Sequence, residues 1–203
     1  MNFPKLPAAF FERVDVLRIA QDLLGKHLYT NIGGIVTAGR VVETEAYRHE
    51  GDHSLTLHLQ RKRLQAKGLH VPGGHAYIYT VYNRYALFNI ATHDAAHPDA
   101  VLIRAVEPTI GLPEMLQRRG LPTTSRALTA GPGVLSQALG ITPALTGLLL
   151  TGEVLWFEDH GEDVAPADVV ASARVGLAYA GPEAAGLPWR FRVRGSEWTS
   201  PAK

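Results

Sequence analysis

Hydrophobic and polar positions along the chain predict a mixture of helices and strands. After Asp15, a suitable N-cap, apolar residues recur at helical spacing as far as Gly25, which is suited to end a helix. Strand patterns at 27–30 and 35–47 flank Gly33 and Gly34, a pair typical of a tight hairpin turn. The same reasoning predicts strands at 75–81, 85–90, 101–105, 148–157 and 169–175, and helices at 113–119 and 132–139.

A second hairpin is predicted where the strands at 75–81 and 85–90 flank a short turn of Tyr82, Asn83 and Arg84. Asn83 suits a turn because asparagine tolerates positive φ. Tyr82 is a large ring at a hairpin tip with little core to fill, so we interpret it as a residue that contacts a ligand. Tyr77 and Tyr85 are better explained by packing within the strands.

Glu43, Glu45 and Tyr47 lie two positions apart on the predicted strand 35–47 and therefore project from one face. A carboxylate beside an aromatic ring can act as a general base next to a surface on which a flat ligand stacks. A solvated polar face would have the same pattern. Arg104 interrupts an apolar strand, and either a structural ion pair or a functional cleft explains a charge there.

The charge distribution is uneven along the chain. The 203 residues are 46% hydrophobic, enough for a sizeable core, and their net charge is only +1. Between His53 and His93 there is no Asp or Glu, whereas the same segment contains Arg61, Lys62, Arg63, Lys67 and Arg84. Basic residues interleaved with aromatic rings are typical of nucleic-acid contacts, although basic loops without such partners are common.

Several classes of site are excluded or disfavoured. The absence of cysteine excludes disulfides, thiolate chemistry and zinc–cysteine sites. No apolar run is long enough to span a bilayer and no signal peptide is evident, so we expect a soluble, cytoplasmic protein. Residues 49–53 read HEGDH and match the zinc-hydrolase pattern H-E-x-x-H. Gly51 and Asp52 disfavour the helix that this pattern requires, so we do not expect a metal there.

From about residue 15 to residue 200 the chain contains a series of short motifs, in order VVETEAY, the His-Ser after it, PGGHAYIYTVY, FNIA, VLIRAVEP, AGPGVLSQAL, ARVGLAYAG and RFRVRGSEW. In these motifs and their order, the chain resembles the alkyladenine (3-methyladenine) DNA glycosylase family. The resemblance implies a monofunctional DNA glycosylase of base excision repair. Such an enzyme flips damaged purines out of duplex DNA and removes them hydrolytically, without a cofactor or metal. The substrates would be alkylated purines, with deaminated or etheno purines as further candidates.

The resemblance also implies a role for each matching residue. Glu45 would activate a water at the anomeric carbon, assisted by Arg104 and the backbone carbonyl of Val175. The flipped base would lie in a pocket formed by Tyr47, His53, Tyr79 and Asn89, where Asn89 obstructs the exocyclic amine of guanine. Tyr82 would wedge into the gap left in the duplex. The basic residues expected to contact the DNA backbone are Arg61, Lys62, Arg63, Lys67, Arg84, Arg174 and Arg192.

The predicted fold is α+β: a single domain over residues 1–203 with a curved, mainly antiparallel sheet, flanking helices and a protruding β-hairpin. Residues 1–12 and 199–203 are expected to be mobile, and the protein to be a monomer, associated with the nucleoid if bacterial. Two departures from the family, SLTLHLQRKRLQAKG in place of its R-G-x-T-x-R-N pattern and Asn83 in place of glycine, predict an altered lesion preference or DNA affinity. The alternatives are a non-catalytic nucleic-acid-binding module and a zinc hydrolase using His49, Glu50 and His53.

Overall fold

The computed structural model describes residues 3–63 and 65–201. In this part of the chain eight strands form: β1 (His27–Ile32), β2 (Ile35–Tyr47), β3 (His75–Val81), β4 (Tyr85–Thr92), β5 (Asp99–Ile110), β6 (Leu155–Glu158), β7 (Val169–Ser172) and β8 (Arg190–Val193). Six α-helices flank them: α1 (Ala8–Phe11), α2 (Val16–Asp22), α3 (His53–Arg61), α4 (Leu112–Arg119), α5 (Pro132–Leu139) and α6 (Gly181–Gly186). Short 3₁₀ helices occur at Gln65–Leu69, Arg126–Leu128, Pro143–Leu145, Pro166–Asp168 and Ala178–Ala180. The predicted α+β class is confirmed.

Strand β2 organises the sheet. The strands β3, β4, β5, β2, β1 and β6 lie side by side in that order, and their pairings are antiparallel. The first half of β2 pairs with β1, whereas residues 43–45 pair with β8, which in turn pairs with β7. The register of β2 against β5 shifts near Gly39 and Glu43. Such irregularities bend a strand, so the sheet curves around the second half of β2.

The hydrophobic core lies between the sheet and its flanking helices. Helix α2 packs on β2 and β5, and α5 packs on β4 and β5. Phe11, Phe88 and Phe157 are fully buried in this core. A smaller cluster contains Leu55 of α3 and Tyr77 of β3. This second cluster packs α3 against the sheet and so places that helix next to β3.

Local signals in the sequence account for several boundaries. The Asp15 side chain caps α2 by accepting hydrogen bonds from the backbone N–H groups of Leu17 (3.0 Å) and Arg18 (3.1 Å). Gly33 and Gly34 have φ values of +64° and +83° and form the predicted turn between β1 and β2. Both of these predictions are confirmed.

Other segments differ from the prediction. The strand expected at 148–157 is confined to β6, and the one expected at 169–175 ends at Ser172. Residues 53–61, for which no helix was predicted, form α3 with Asp52 as its N-cap. In the termini expected to be mobile, Phe11 and Ser200 are buried, while residues 1–2 and 202–203 lie outside the described residues. No helix in the described part of the chain is long and apolar enough to cross a membrane.

Candidate active site

A pocket of about 570 Å³ opens beside the second half of β2. Strands β2 to β5 supply one side, and α3, the start of α5 and the loop after β7 supply the rest. Six tyrosines line it: Tyr47, Tyr77, Tyr79, Tyr82, Tyr85 and Tyr179. Among the polar groups that reach it are Glu45, Asn89 and Arg104. A mainly apolar pocket with a few polar groups is typical of small-molecule and base-binding sites.

Glu45 is completely buried in the wall of this pocket. Its Oε2 accepts a hydrogen bond from the Tyr47 hydroxyl (2.7 Å), and its Oε1 accepts one from the backbone N–H of Val175 (2.8 Å). The Arg104 guanidinium lies 3.2 Å from the same Oε1. Two donors and a cation therefore fix the orientation of the carboxylate and stabilise its negative charge. The structure thus brings together all the residues expected to act in the reaction.

Arg104 belongs to a buried ion network behind Glu45. Its Nε donates to Glu43 Oε1 (2.9 Å), which also accepts from Arg190 Nε (2.7 Å). Ser200 donates to Glu43 through its backbone N–H (2.6 Å) and its hydroxyl (2.7 Å). Burial lowers the pKa of Arg104, but the charges of Glu45 and Glu43 outweigh this and raise it above its ordinary value. Arg104 is therefore both a structural ion-pair partner and a residue of the pocket.

The tyrosines around Glu45 retain their protons at neutral pH. Burial and then the Glu45 charge raise the pKa of Tyr47 well above its ordinary value. Burial also raises the pKa of Tyr77 and Tyr79, whose ring centroids lie 5.4 Å apart. Neutral phenol rings present electron-rich faces, which attract flat and cationic ligands.

The histidine of the pocket is His58, whereas the sequence analysis predicted His53. His53 is exposed at the start of α3 and does not line the pocket. His58 does, with its Nε2 2.8 Å from the Tyr77 hydroxyl and its ring centroid 4.7 Å from that of Tyr79. Residues five positions apart on a helix are rotated by about 140°, so the unpredicted helix α3 turns His53 away from the pocket. Burial and then Lys62 lower the pKa of His58 to about 4, which leaves its ring neutral.

Asn89 and Tyr82 lie where the sequence analysis expected them, in the wall and at the rim. Asn89 is 4% exposed, and its Nδ2 donates to the carbonyl of Leu87 (3.1 Å), which fixes the side-chain amide. Tyr82 is 91% exposed at the turn between β3 and β4. Both Tyr82 and Asn83 have positive φ, +51° and +50°, as in a type I′ hairpin turn. This turn holds the Tyr82 ring away from the core.

Most of the basic residues expected to meet DNA are accessible. Arg61, Arg63, Lys67 and Arg84 are exposed, and Lys62 and Arg192 are half-buried. The Arg61 guanidinium lies over the ring of Tyr179 at 5.0 Å, and that of Arg84 lies over Tyr85 at 5.2 Å. Because both tyrosines line the pocket, these two arginines border its mouth. Leu64, in the atypical segment that contains Arg61, lies outside the described residues.

Arg174 has a different position from the one expected for a DNA-backbone contact. Its side chain is fully buried and pairs with Asp52, with Nη2 2.9 Å from Oδ1 and a second contact between Nη1 and Oδ2. The guanidinium also lies 4.6 Å from the centroid of the Tyr47 ring. The expectation of a phosphate contact is therefore corrected. Arg174 joins the N-cap of α3 to Tyr47 and positions the wall of the pocket.

The HEGDH segment does not form the helical pair of a zinc hydrolase. His49 lies in a turn, Gly51 has φ +78°, and Asp52 caps the helix that begins at His53. Two zinc-binding histidines of this pattern need to lie one turn apart on a helix. Here one histidine precedes the helix, so they do not share a helical face.

Three of the contributors to the pocket that sequence reasoning missed are Asp52, His58 and Gly133. Asp52 and His58 depend on α3, and the sequence signal for that helix was Asp52 itself, whose Oδ1 accepts from the N–H of Ser54 (3.0 Å) as an N-cap. Gly133 was the third. A Cβ at Gly133 would lie 2.8 Å from Tyr85, so only glycine allows this tyrosine to pack against the start of α5. Nothing in the sequence pattern indicated that contact.

Comparison with known proteins bears on the chemistry of this site. A sequence model of the methylpurine-DNA glycosylase family matches residues 9–197. A protein of Shouchella clausii is 39% identical over 92% of this chain and 90% of its own length. Relatives from Methanoculleus marisnigri and Chlorobaculum tepidum are 40% and 39% identical over 96% and 97% of this chain, and over 98% and 90% of their own lengths. All three carry the provisional name 3-methyladenine DNA glycosylase.

Proposed function

We propose how the pocket works from one premise: the chain belongs to the methylpurine-DNA glycosylase family and therefore hydrolyses N-glycosyl bonds in DNA. This premise sets aside the alternatives of a non-catalytic nucleic-acid-binding module and a zinc hydrolase. A base inside duplex DNA is inaccessible, so the enzyme must rotate the damaged nucleotide out of the stack. The extruded purine then enters the pocket beside Tyr47 and Tyr79.

The buried carboxylate of Glu45 in an aromatic pocket is the observation that carries this proposal. Glu45 takes a proton from a water molecule while the water oxygen bonds to the anomeric carbon of the deoxyribose. The bond from that carbon to the purine nitrogen breaks, and its electron pair leaves with the base. The negative charge of Glu45 also stabilises the oxocarbenium-like sugar that develops as the bond breaks. The products are a free purine and an abasic site.

Arg104 and Val175 are proposed to keep Glu45 ready for this step. The Val175 N–H and the Arg104 guanidinium both contact Oε1, so this oxygen is held in place while the carboxylate receives the proton. The backbone carbonyl of Val175 is proposed to help hold the attacking water. Because Arg104 is anchored by Glu43, its position does not depend on the bound DNA.

The neutral aromatic walls favour alkylated purines. Ring alkylation gives a purine a positive charge, and a cation is attracted to the faces of neutral tyrosines and to the nearby Glu45 carboxylate. Tyr47, Tyr79 and His58 are uncharged at neutral pH. An alkylated purine also leaves without prior protonation, because bond cleavage neutralises its charge. Stacking tolerates different purines, so deaminated and etheno purines are proposed as further substrates.

Asn89 is proposed to exclude normal guanine. Its amide is held against the Leu87 carbonyl in the pocket wall, so it cannot move aside easily. A fixed side chain that occupies the space needed by the exocyclic amine of guanine excludes guanine sterically but leaves room for adenine derivatives, which lack that amine. The exchange of Asn89 for a smaller residue should therefore increase removal of guanine.

The hairpin and the basic residues around the pocket are proposed to hold the distorted DNA. Tyr82, fully presented at the turn, fills the gap that the extruded nucleotide leaves in the stack. Arg61, Lys67 and Arg84 then contact phosphates on either side of the lesion. Arg174 is not part of this set because Asp52 occupies it.

The test is single-turnover excision from duplexes that contain an alkylated purine, hypoxanthine, ethenoadenine or no lesion, in the presence of EDTA. We expect abasic product from the alkylated duplex, slower product from the neutral lesions, and none from the undamaged control. Excision of hypoxanthine but not of the alkylated purine would contradict the proposed preference. Tight binding without product on every duplex would contradict the proposed reaction itself.

A further inference from the structure

A second group of polar side chains lies outside the pocket, in the connection between β4 and β5. His93, Asp94 and His97 each offer one ligand atom, and these three atoms lie within 4.8 Å of one another. Asp94 Oδ2 is 3.7 Å from His93 Nε2, and Asp94 Oδ1 is 3.0 Å from His97 Nδ1. None of the three residues lines the catalytic pocket. Neither the reaction nor the family comparison gives these residues a role.

We propose that His93, Asp94 and His97 bind a late first-row divalent cation such as Zn²⁺. Imidazole nitrogens and a carboxylate oxygen are ligands that such cations prefer. Ligand atoms around a tetrahedral Zn²⁺, with bonds of about 2.0–2.1 Å, lie about 3.3 Å apart, and two imidazole centroids lie about 5 Å apart. The two carboxylate oxygens of Asp94 lie 3.0 Å (Oδ1 to His97 Nδ1) and 3.7 Å (Oδ2 to His93 Nε2) from the histidine nitrogens. These distances and the His93–His97 centroid distance of 4.5 Å are close to the expected values.

The backbone holds the first ligand in an unusual conformation. His93 has φ +67°, which is uncommon for a residue other than glycine. Hydrogen bonds fix it on both sides, because its N–H donates to the carbonyl of Phe11 (3.0 Å) and its carbonyl accepts from the N–H of Gly73 (3.0 Å). The His93 ring is therefore presented towards Asp94 by a rigid segment. Preorganisation of this kind lowers the cost of ordering a ligand when a metal binds.

The surroundings of this cluster support a bound cation. Asp99 is buried with its Oδ2 4.0 Å from His93 Nδ1, so its carboxylate adds negative charge beside the cluster. His49 lies at the edge of the cluster, with its ring centroid 6.4 Å from that of His97. Among the described residues, no lysine or arginine pairs with Asp94 or Asp99. The two carboxylates are therefore not already neutralised by a basic side chain.

A second cluster of possible metal ligands is less suited to bind a cation. His27, His160 and Glu162 also come within 4.8 Å of one another. His160 is stacked between Phe3 (3.7 Å) and His27 (3.8 Å), and Arg40 already pairs with the Glu162 carboxylate (3.1 Å). A cation at this cluster would have to displace Arg40 from the Glu162 carboxylate. The proposal is therefore confined to the cluster between β4 and β5.

The test is titration of the metal-free protein with ZnCl₂ by calorimetry, supported by the visible absorption of a Co²⁺ complex. Asp94→Asn is the main variant, because asparagine retains an oxygen that accepts the N–H groups of Ala96 and His97 but loses the charge. His93→Asn is the second, because asparagine tolerates positive φ. Exposed His53, changed to Ala, is the matched control for nonspecific binding to surface histidines. Melting temperatures without metal establish that each variant folds.

We expect one Zn²⁺ per chain in the wild type and in His53→Ala. Loss of a supporting residue of a metal site weakens binding by about 10–100-fold, so loss of a ligand in Asp94→Asn or His93→Asn should cost at least as much. Zn²⁺ should raise the melting temperature of the wild type more than that of Asp94→Asn. Equal binding by all four proteins, or none at 100-fold excess of metal over protein, would overturn the proposal. Loss of binding in His53→Ala alone would assign the metal to the HEGDH segment instead.

Discussion

Replacement of Glu43 by glutamine should destabilise the protein strongly although Glu43 does not touch the pocket. Glu43 and Glu45 balance two buried guanidinium groups, those of Arg104 and Arg190. Glu43→Gln keeps the size of the side chain but leaves an excess positive charge in the interior. The groups around Glu43 all donate hydrogen bonds, including the backbone N–H of Ser200 (2.6 Å). Glutamine offers them one acceptor oxygen instead of two, and its N–H₂ group has no acceptor to meet. Both effects lower the free energy of unfolding.

The expected magnitude follows from the burial of this network. Removal of one partner from a buried ion pair costs about 3–5 kcal/mol, because it leaves the other charge uncompensated. Glutamine can still accept some of the hydrogen bonds, so we expect about 3 kcal/mol for Glu43→Gln. For a chain of this size, that corresponds to a decrease in melting temperature of roughly 6–12 °C. Urea denaturation followed by tryptophan fluorescence measures the free energy of unfolding directly.

A matched control uses the same substitution at an exposed pair. Glu153 contacts Lys5 (2.7 Å), but its side chain is 87% exposed. Surface ion pairs contribute about 0–1 kcal/mol, so Glu153→Gln should change little. If Glu43→Gln cost no more than Glu153→Gln, the buried network would not stabilise the fold and the reasoning would be refuted. Arg190→Met added to Glu43→Gln should recover part of the loss, because it restores the charge balance.

Three further predictions concern the pocket and its rim. Tyr82→Asn should weaken binding to lesion-containing duplex by about 1–3 kcal/mol, roughly 5–150-fold, without lowering the melting temperature, because the ring is exposed; unchanged affinity in a fluorescence-anisotropy titration would argue against a wedge. Burial lowers the pKa of His58 from 6.5 to about 4, so between these values the unfolded chain binds a proton that the folded chain does not. The free energy of unfolding should therefore fall by up to about 3 kcal/mol as the pH drops from 6.5 to 4, and a wild-type pH profile retained in His58→Gln would contradict this. Arg61→Gln should reduce the slope of log affinity against log salt by about 1, whereas Arg174→Met should instead lower stability by about 3–5 kcal/mol; the reverse pattern would exchange their roles.

Much of the architecture could be predicted because local signals decided it. The cap at Asp15 and the paired glycines at Gly33 and Gly34 act on their own neighbours, so their effects are visible in the sequence. The face shared by Glu43, Glu45 and Tyr47 followed from the two-residue period of a strand. Their partners did not follow from it, because Arg104 and Val175 approach from other parts of the fold.

The region after β2 was harder to predict for a physical reason. Helix α3 has only nine residues, so its stability comes from tertiary contacts that the sequence does not display. The Arg174–Asp52 pair anchors its start, and Leu55 packs into the cluster beneath it. Without that helix, the His-Ser after VVETEAY made His53 the natural candidate for the pocket. Because of the rotation along the helix, His58 lines the pocket instead.

Arg174 illustrates the same limit. A basic residue at the end of a predicted strand suggests a contact with DNA. Its actual partner, Asp52, lies 122 residues earlier in the chain. Only the folded structure brings these two charges together. Because the pair is buried, Arg174 cannot contact a DNA phosphate.

The central claim is that Glu45 performs the hydrolysis, and single-turnover excision by Glu45→Gln tests it most directly. The assay uses a duplex with one alkylated purine, saturating enzyme, and a parallel measurement of binding. Glutamine keeps the size of the side chain but cannot accept the proton of the water or stabilise the cationic sugar. General base catalysis alone contributes about 10²–10⁴-fold, so we expect at least that loss of rate with lesion binding retained. Excision at the wild-type rate by a folded Glu45→Gln protein would contradict the account.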